Sequence, residues 1–392
     1  LKVNYAPPDL DENDWQFQLD NKFASNLFST LKTTSSLALR NPAVVSPLCT
    51  RCSEFRDELW SPGFSISYDV KTLETNATKR VCESCILLWR TLLRNGAINS
   101  SSVKFSRTGP FLRLKSNGLP VLSIIRSPEQ ESSSGSDFQV GFIELPEAGN
   151  ATHLGVLQHW LSDCDNNHTC QPSQLASETS HVSVKRLPTR LIDVGAASDS
   201  KVHLWETAPG DTGEWIALSH KWGGRHLSTT PENLQEHLDG LQLSVLPATF
   251  RDAVTVTRAL GRRYLWIDSL CIIQGPDGDF KDEAKHMEDV YSGAYCVIAA
   301  SSASDHYSGF LKKRNARDYV SMCREGKGQS PFYVCQAIDD FKEHVLNGAL
   351  HRRGWVLQEH ALARRTLFFT EHQTYFECSN GVRCESSTRT MK

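Results

Sequence analysis

The chain lacks a long apolar run: no stretch approaches the roughly 20 residues that a bilayer-spanning helix requires. It also lacks a surplus of one charge. Its 42 Lys and Arg stand against 45 Asp and Glu, for a formal net charge of −3, and the two signs are interspersed. That balance argues against a nucleic-acid partner, which would call for a basic stripe. Residues 1–20 are polar and acidic, so we expect no secretory leader there, and no internal repeat is visible. These absences lead us to expect a cytoplasmic protein without a membrane partner. The chain begins at Leu1, and we expect further sequence at one or both ends.

Hydrophobic residues make up 39% of the 392, enough to bury a large core in two domains. Twelve cysteines are present. Without a leader, reduced thiols or metal ligands are expected before disulfides. For the same reason the four Asn-x-Ser/Thr matches, at Asn76, Asn99, Asn150 and Asn167, carry no meaning. Cys49-x-x-Cys52 and Cys82-x-x-Cys85 have the paired spacing of a four-thiolate structural zinc site. Cys164, His168 and Cys170 offer a further ligand set. The alternative is that these are ordinary buried thiols.

Organisation changes along the chain. Residues 1–45 read as a tail with some helix, Phe17, Phe23, Leu27 and Leu31 having helical spacing. Residues 46–184 read as an α+β module: the second cysteine pair opens an apolar helix, strands follow at 103–107, 111–115, 121–125 and 138–145, and a helix covers 155–163. Between them 127–136 is a polar loop. From 185 to 392 strands and helices alternate. Strands are expected at 215–219, 264–268, 296–300 and 366–369, and helices at 247–260, 280–292 and 355–363. Residues 303–350 read as an irregular insertion. Alternation of this kind implies an α/β layer with a mostly parallel sheet.

In such sheets ligands sit beyond the C-terminal strand ends, here Ser219–Gly223 and Asp268–Gln274. Gly223 and Gly224 let backbone approach a phosphate, and Lys221 or Arg225 can face one. Trp222 either stacks on a flat ring or fills the core. Asp268 either holds a ribose hydroxyl or caps the following turn. Glu283 falls on the packing face of its helix, between Phe280 and Met287, so it is either a paired structural carboxylate or part of the site.

Three blocks, Ala217-Leu218-Ser219-His220-Lys221-Trp222-Gly223, Tyr264 to Gln274 and Arg353-Gly354-Trp355-Val356-Leu357-Gln358-Glu359, together resemble the heterokaryon-incompatibility (HET) domain of filamentous fungi. Leu246 to Ala253 and Met287 to Ala294 extend the likeness. The family is implicated in incompatibility and programmed cell death between genetically different fused hyphae. HET domains in turn resemble TIR domains, so a TIR-like, flavodoxin-like sheet with flanking helices is expected. The TIR Trp-x-x-x-Glu motif would fall on Trp355 and Glu359.

That resemblance implies an NAD-cleaving glutamate at Glu359, with NAD as substrate. Breaking the nicotinamide–ribose bond builds positive charge on the ribose, which a nearby carboxylate stabilises. Trp355 would stack one turn away and raise the pKa of Glu359. Self-association and an incompatibility partner protein are also implied. The alternatives are an ion pair of Glu359 with Arg352, Arg353 or Arg364, and a non-enzymatic module that kills by recruiting partners.

Overall fold

A computed structural model describes residues 17–19, 21–34, 46–114, 118–126, 139–170, 187–224, 226–323, 331–386 and 388–390. The expected polar loop at 127–136 and Arg225 lie outside these residues. Contacts divide the chain into two compact units. One comprises Leu1–Leu145, Asn315–Asp339 and Glu385–Lys392; the other comprises Pro146–Arg314 and Asp340–Cys384. This division runs differently from a simple boundary near residue 185. No helix among the described residues is long and apolar enough to cross a membrane.

The first unit has the α+β character expected of residues 46–184, but the helix expected at 155–163 belongs to the second unit. Strands Ser65–Asp69, Ser102–Thr108, Phe111–Arg113 and Leu122–Arg126 form an antiparallel sheet. Phe332–Gln336 and Tyr319–Met322 extend it beyond Leu122–Arg126. The expectation of an irregular insertion at 303–350 is therefore corrected. Val320, Met322, Phe332 and Val334 alternate onto one face and pack with Phe105, Leu112 and Ile124, the period-two burial that a strand imposes. Helices Thr50–Glu58, Val70–Thr78 and Glu83–Arg94 cover that core.

In the second unit, helix α1 (Ala151–Asn167) is longer than expected, and the Asn150 side chain caps it by accepting from the His153 amide at 2.8 Å. There follow β1 (Arg190–Asp193), β2 (Lys201–Glu206), β3 (Trp215–Ser219), α2 (Leu234–Asp239), β4 (Leu241–Gln242), α3 (Ala248–Ala259) and β5 (Tyr264–Trp266). Next are α4 (Asp268–Cys271), α5 (Phe280–Glu283), α6 (Met287–Gly293) and β6 (Cys296–Ala299). The last elements are α7 (Gly354–Leu362), β7 (Arg365–Phe369), β8 (Thr374–Cys378) and β9 (Gly381–Cys384). The sheet order in this unit is β9-β8-β7-β6-β3-β5-β1-β2-β4.

Only the centre of this sheet is parallel. β7 with β6, β6 with β3, and β3 with β5 pair in parallel. The flanks, β9-β8-β7 on one side and β5-β1-β2-β4 on the other, are antiparallel. The sheet is thus mixed, not mostly parallel, because hairpins at both flanks add strands that the helical crossovers do not. β3 and β6 are buried along their whole length, as parallel strands covered on both faces must be. α3 turns Phe250, Ala253, Val254 and Val256 inward, and Gly261 follows its last turn with φ +67°, a conformation that glycine adopts at little cost.

Two local expectations fail. The helix expected at 280–292 is broken: a 3₁₀ turn, Ala284–His286, separates α5 from α6. Phe280 is 49% exposed while Tyr291 is buried, so the apolar spacing did not define one packing face, and Glu283 lies half-buried off the core. The strand expected to end at Asp268 stops at Trp266, and Asp268 instead opens the short helix α4.

Candidate functional site

Along the chain, β3 is followed by a crossover to β5 on one side and then by one to β6 on the other. The strand order therefore reverses at β3: the connection from β3 runs to β5 on one side, and the connection from β5 passes back over to β6 on the other. Such a switch point opens a crevice where ligands bind in α/β sheets. Ala299 of β6 lies opposite Ser219 of β3, and the Ala300 amide donates to the Ser219 carbonyl at 2.9 Å. Ser219, Asp268 and Ser301 thus leave neighbouring strands at one edge, and α7 brings Glu359 to them.

Glu359 is 8% exposed. Burial pushes its pKa up to about 7; the charge of Asp268 adds to the rise, while the Ser219 and Tyr291 hydroxyls and the Arg353 guanidinium oppose it. Its Oε2 and Ser219 Oγ complete no hydrogen bond of good geometry among the described residues, although the Ser219 and Tyr291 hydroxyls stand near enough to favour the charged carboxylate. The buried hydroxyls of Ser269, Ser301 and Ser302 share that condition. Unsatisfied buried polar atoms are uncommon in folded proteins, and here they gather at the ends of three adjacent strands. No ion pair within 4.0 Å joins Glu359 to an arginine among the described residues, although Arg353, at the N-cap of α7, acts on it electrostatically. Arg353 Nη1 instead donates to the His220 carbonyl.

Behind this edge lies a hydrogen-bonded aromatic network. The Trp222 indole N–H donates to Asp268 Oδ2 at 2.8 Å, and the Ser269 amide donates to Asp268 Oδ1 at 2.7 Å. Burial raises the Asp268 pKa, and those two donors counter it. His220 and His306 meet through their Nε2 atoms at 2.9 Å, and the Leu227 amide donates to His306 Nδ1 at 3.2 Å. That last bond places the His306 proton on Nε2, which then donates to His220. Burial drives both imidazoles down to about 3, with Arg353 adding to the effect on His220 and His220 to that on His306. The pair is neutral at physiological pH and works as a positioning device, not as a charge.

The remaining residues singled out from the sequence divide. Lys221 is half-buried, and burial, with Arg353 and Arg352 nearby, lowers its pKa. Gly223 has φ +76°, and a Cβ there would stand 2.5 Å from Asp305 Cβ, so the turn requires glycine. Trp355 lies on α7 one turn before Glu359, but its side chain is outside the described residues. Glu283 shares no hydrogen bond or ion pair with Glu359, Ser219 or Asp268. His220 was legible only as part of its motif, without a role, and Tyr291 only as part of the Met287 to Ala294 likeness. His306 fell in the supposed insertion; nothing short of the fold would have brought it to His220.

The first unit holds a separate cluster. Cys49 stands at the N-cap of Thr50–Glu58 and Cys82 at the N-cap of Glu83–Arg94, so both Cys-x-x-Cys pairs occupy helix N-termini, where the helix dipole favours thiolate. The four sulfurs lie within 4.8 Å of one another. Cys49–Cys85 and Cys52–Cys85 are 3.7 and 3.6 Å apart, against about 3.8 Å for the edge of a tetrahedral four-thiolate zinc site. The Cys85 amide faces Cys82 Sγ at 3.5 Å, and the contacts with Cys52 and Cys85 lower the Cys82 pKa. These residues can hold one metal ion.

Fold and site together define a mixed α/β domain with a buried carboxylate at its switch point, beside a cysteine-bearing α+β module. Residues 215–359 match the family described as heterokaryon incompatibility protein (HET), and over that segment the chain is similar to a HET domain. The match runs from the first residue of β3 to Glu359, narrower than the 185–392 expected, and so takes in the central strands and the carboxylate. No curated protein and no solved structure matches the chain.

Proposed function

We propose that the HET domain hydrolyses NAD at the nicotinamide–ribose bond and acts in incompatibility-triggered cell death. The observation that carries this reading is Glu359: a carboxylate with a pKa near 7, an unsatisfied oxygen, and Ser219 and Asp268 beside it at the switch point. The likeness of the element order to TIR domains supports it, although the antiparallel flanks depart from that pattern.

The chemistry asks little of the protein. The C1′–N bond of the ribose breaks, its electron pair passes to the pyridinium nitrogen, and neutral nicotinamide leaves. Ionised Glu359 stabilises the cationic ribose, and water then adds to C1′, releasing one proton and ADP-ribose. Trp222, held by Asp268, stacks on a flat ring, and Lys221 faces the phosphates. Cys49, Cys52, Cys82 and Cys85 hold a structural zinc ion that fixes the first unit. Self-association concentrates the domain and turns its activity on, an incompatibility partner being the trigger.

Nicotinamide release from NAD, followed at high protein concentration, tests the reading. Glu359→Gln is expected to reduce turnover by about 10²–10³-fold, the usual effect of losing one transition-state electrostatic contact. In the wild type, turnover should rise with pH through about 7 as Glu359 ionises. No release by the concentrated wild type, or equal release by Glu359→Gln, would refute the hydrolase and leave an assembly module as the better account.

A further inference from the structure

A second group of metal-ligand side chains lies in the HET-bearing unit, far along the chain from the paired cysteines. Cys164 sits in the last turn of α1, His168 is its C-cap residue, and Cys170 follows two residues later. Cys378 ends β8. One donor atom from each of the four lies within 4.8 Å of all the others, and the three cysteines are buried. We propose that Cys164, His168, Cys170 and Cys378 bind a zinc ion.

The geometry fits one ion. His168 Nδ1 lies 3.5 Å from Cys378 Sγ, the edge of about 3.5 Å expected for a tetrahedron with one nitrogen and three sulfur ligands. With Nδ1 turned to the sulfurs, Nε2 meets the Asn380 side-chain amide at 2.5 Å. With the Asn380 amide oriented to present its oxygen, it accepts the Nε2 proton there. An outer partner of that kind fixes the tautomer of a metal-bound histidine. The sulfurs have donors as well. The Asn380 amide faces Cys378 Sγ at 3.4 Å, and Ser379 Oγ lies 2.9 Å from Cys170 Sγ. Three buried sulfurs and one half-buried imidazole in a closed set select zinc, with no ligand position left for catalysis.

The location gives the ion a task. α1 already rests on the β7-β8-β9 flank: Trp160 stacks on Phe376, Asp165 pairs with Arg365, and Asp163 pairs with Arg383 at 3.1 Å. These contacts end at the helix C-terminus, where the carbonyl ends of the dipole favour a cation. An ion there joins α1 and the segment after it to the β8–β9 turn. It thereby braces β7, whose neighbour β6 leads into the switch point.

Zinc content of the full chain, purified without chelator, tests this directly. Cys378→Ser and His168→Ala should each remove one equivalent per chain relative to wild type, whatever the four-cysteine cluster of the first unit holds. His168→Cys, which restores a fourth ligand, should retain it. Cobalt(II) titration gives a second readout that does not depend on Cys378→Ser folding. The His168→Cys variant should shift the d–d absorption and add thiolate charge-transfer intensity. Unchanged zinc content in both His168→Ala and Cys378→Ser overturns the site. So does a wild-type chain whose denatured mass is two hydrogens short from a Cys164–Cys378 disulfide. Neither result bears on nicotinamide release, so failure here and failure of the hydrolase are told apart.

Discussion

In the first unit four sulfurs converge at the mouths of two helices and meet one another; at the strand ends of the second, hydroxyls and a carboxylate are buried without partners. The two regions show opposite treatments of buried polar atoms. Sulfur is a weak hydrogen-bonding group, and a thiol buries cheaply, so a cysteine cluster tolerates the absence of polar partners and awaits a soft cation. A hydroxyl or carboxylate does not bury cheaply. Ser219 Oγ, Ser269 Oγ and Glu359 Oε2 each cost free energy while unpaired. A site that keeps several of them within one edge has stability to gain from a polar ligand. On the proposed reading the first region serves folding and the second serves binding.

The largest effect expected from that contrast is on the first unit. Removing the metal by a strong chelator, or replacing Cys82 by serine, should cost on the order of 10 kcal/mol, the scale of structural zinc coupled to folding. Circular dichroism and limited proteolysis would follow it: residues 46–145 should become labile to protease while nicotinamide release, if present, declines only as the chain loses solubility. A first unit that stays folded and resists protease after complete zinc removal would show that its apolar core suffices, and would erase the distinction between the two regions.

A smaller effect separates binding from stability at Glu359. Its folded pKa, raised to about 7, exceeds the unfolded value of about 4.3, so the folded chain binds the proton more tightly. Stability tied to that difference is full below the unfolded pKa and is lost as pH rises through about 7. The loss is at most roughly 4 kcal/mol. Glu359→Gln carries no such charge, so at pH 8.5 it should be the more stable chain by roughly 1–3 kcal/mol, with the gap closing by pH 4. Urea unfolding of both chains at the two pH values measures this. A variant less stable than wild type at pH 8.5 would mean that the carboxylate is a structural ion-pair member after all.

How much of this was legible in the sequence follows from how local each feature is. The Cys-x-x-Cys pairs declare themselves, because two thiols three residues apart at a helix start already share one turn. β3, β5, β6 and α7 were legible within two residues at each boundary, since apolar runs and helical spacing are short-range signals. The mixed sheet was not. Whether β7 continues into a hairpin with β8 depends on tertiary pairing, which strand composition does not encode. Tyr319–Met322 and Phe332–Gln336 escaped for the same reason: both are short, and Phe332–Gln336 joins the sheet through Leu122–Arg126, some two hundred residues earlier. At the site, Ser219, Asp268 and Glu359 were picked out by motif and resemblance. His306 was not, because its meaning comes only from contact with His220.

The smallest effect probes whether the network behind the site is built or incidental. Trp222 and Asp268 are joined by one hydrogen bond of 2.8 Å, and Asp268 also takes the Ser269 amide. Trp222→Phe keeps an aromatic ring but removes the donor, leaving a partly buried carboxylate with one fewer partner. The direct loss should be about 1–2 kcal/mol. Asp268→Asn leaves an acceptor for the indole but removes the charge that raises the Glu359 pKa. A double-mutant cycle on unfolding free energy should therefore give a coupling of about 0.5–2 kcal/mol between the two positions, where independent sites would add to within a few tenths. In the same Asp268→Asn chain, the pH at which nicotinamide release reaches half its maximum should move downward, because one negative neighbour of Glu359 has gone. Coupling with no such shift would make the Trp222–Asp268 pair a scaffold that holds the loop after β3. A shift with no coupling would make Asp268 a neighbour that tunes Glu359 independently of Trp222.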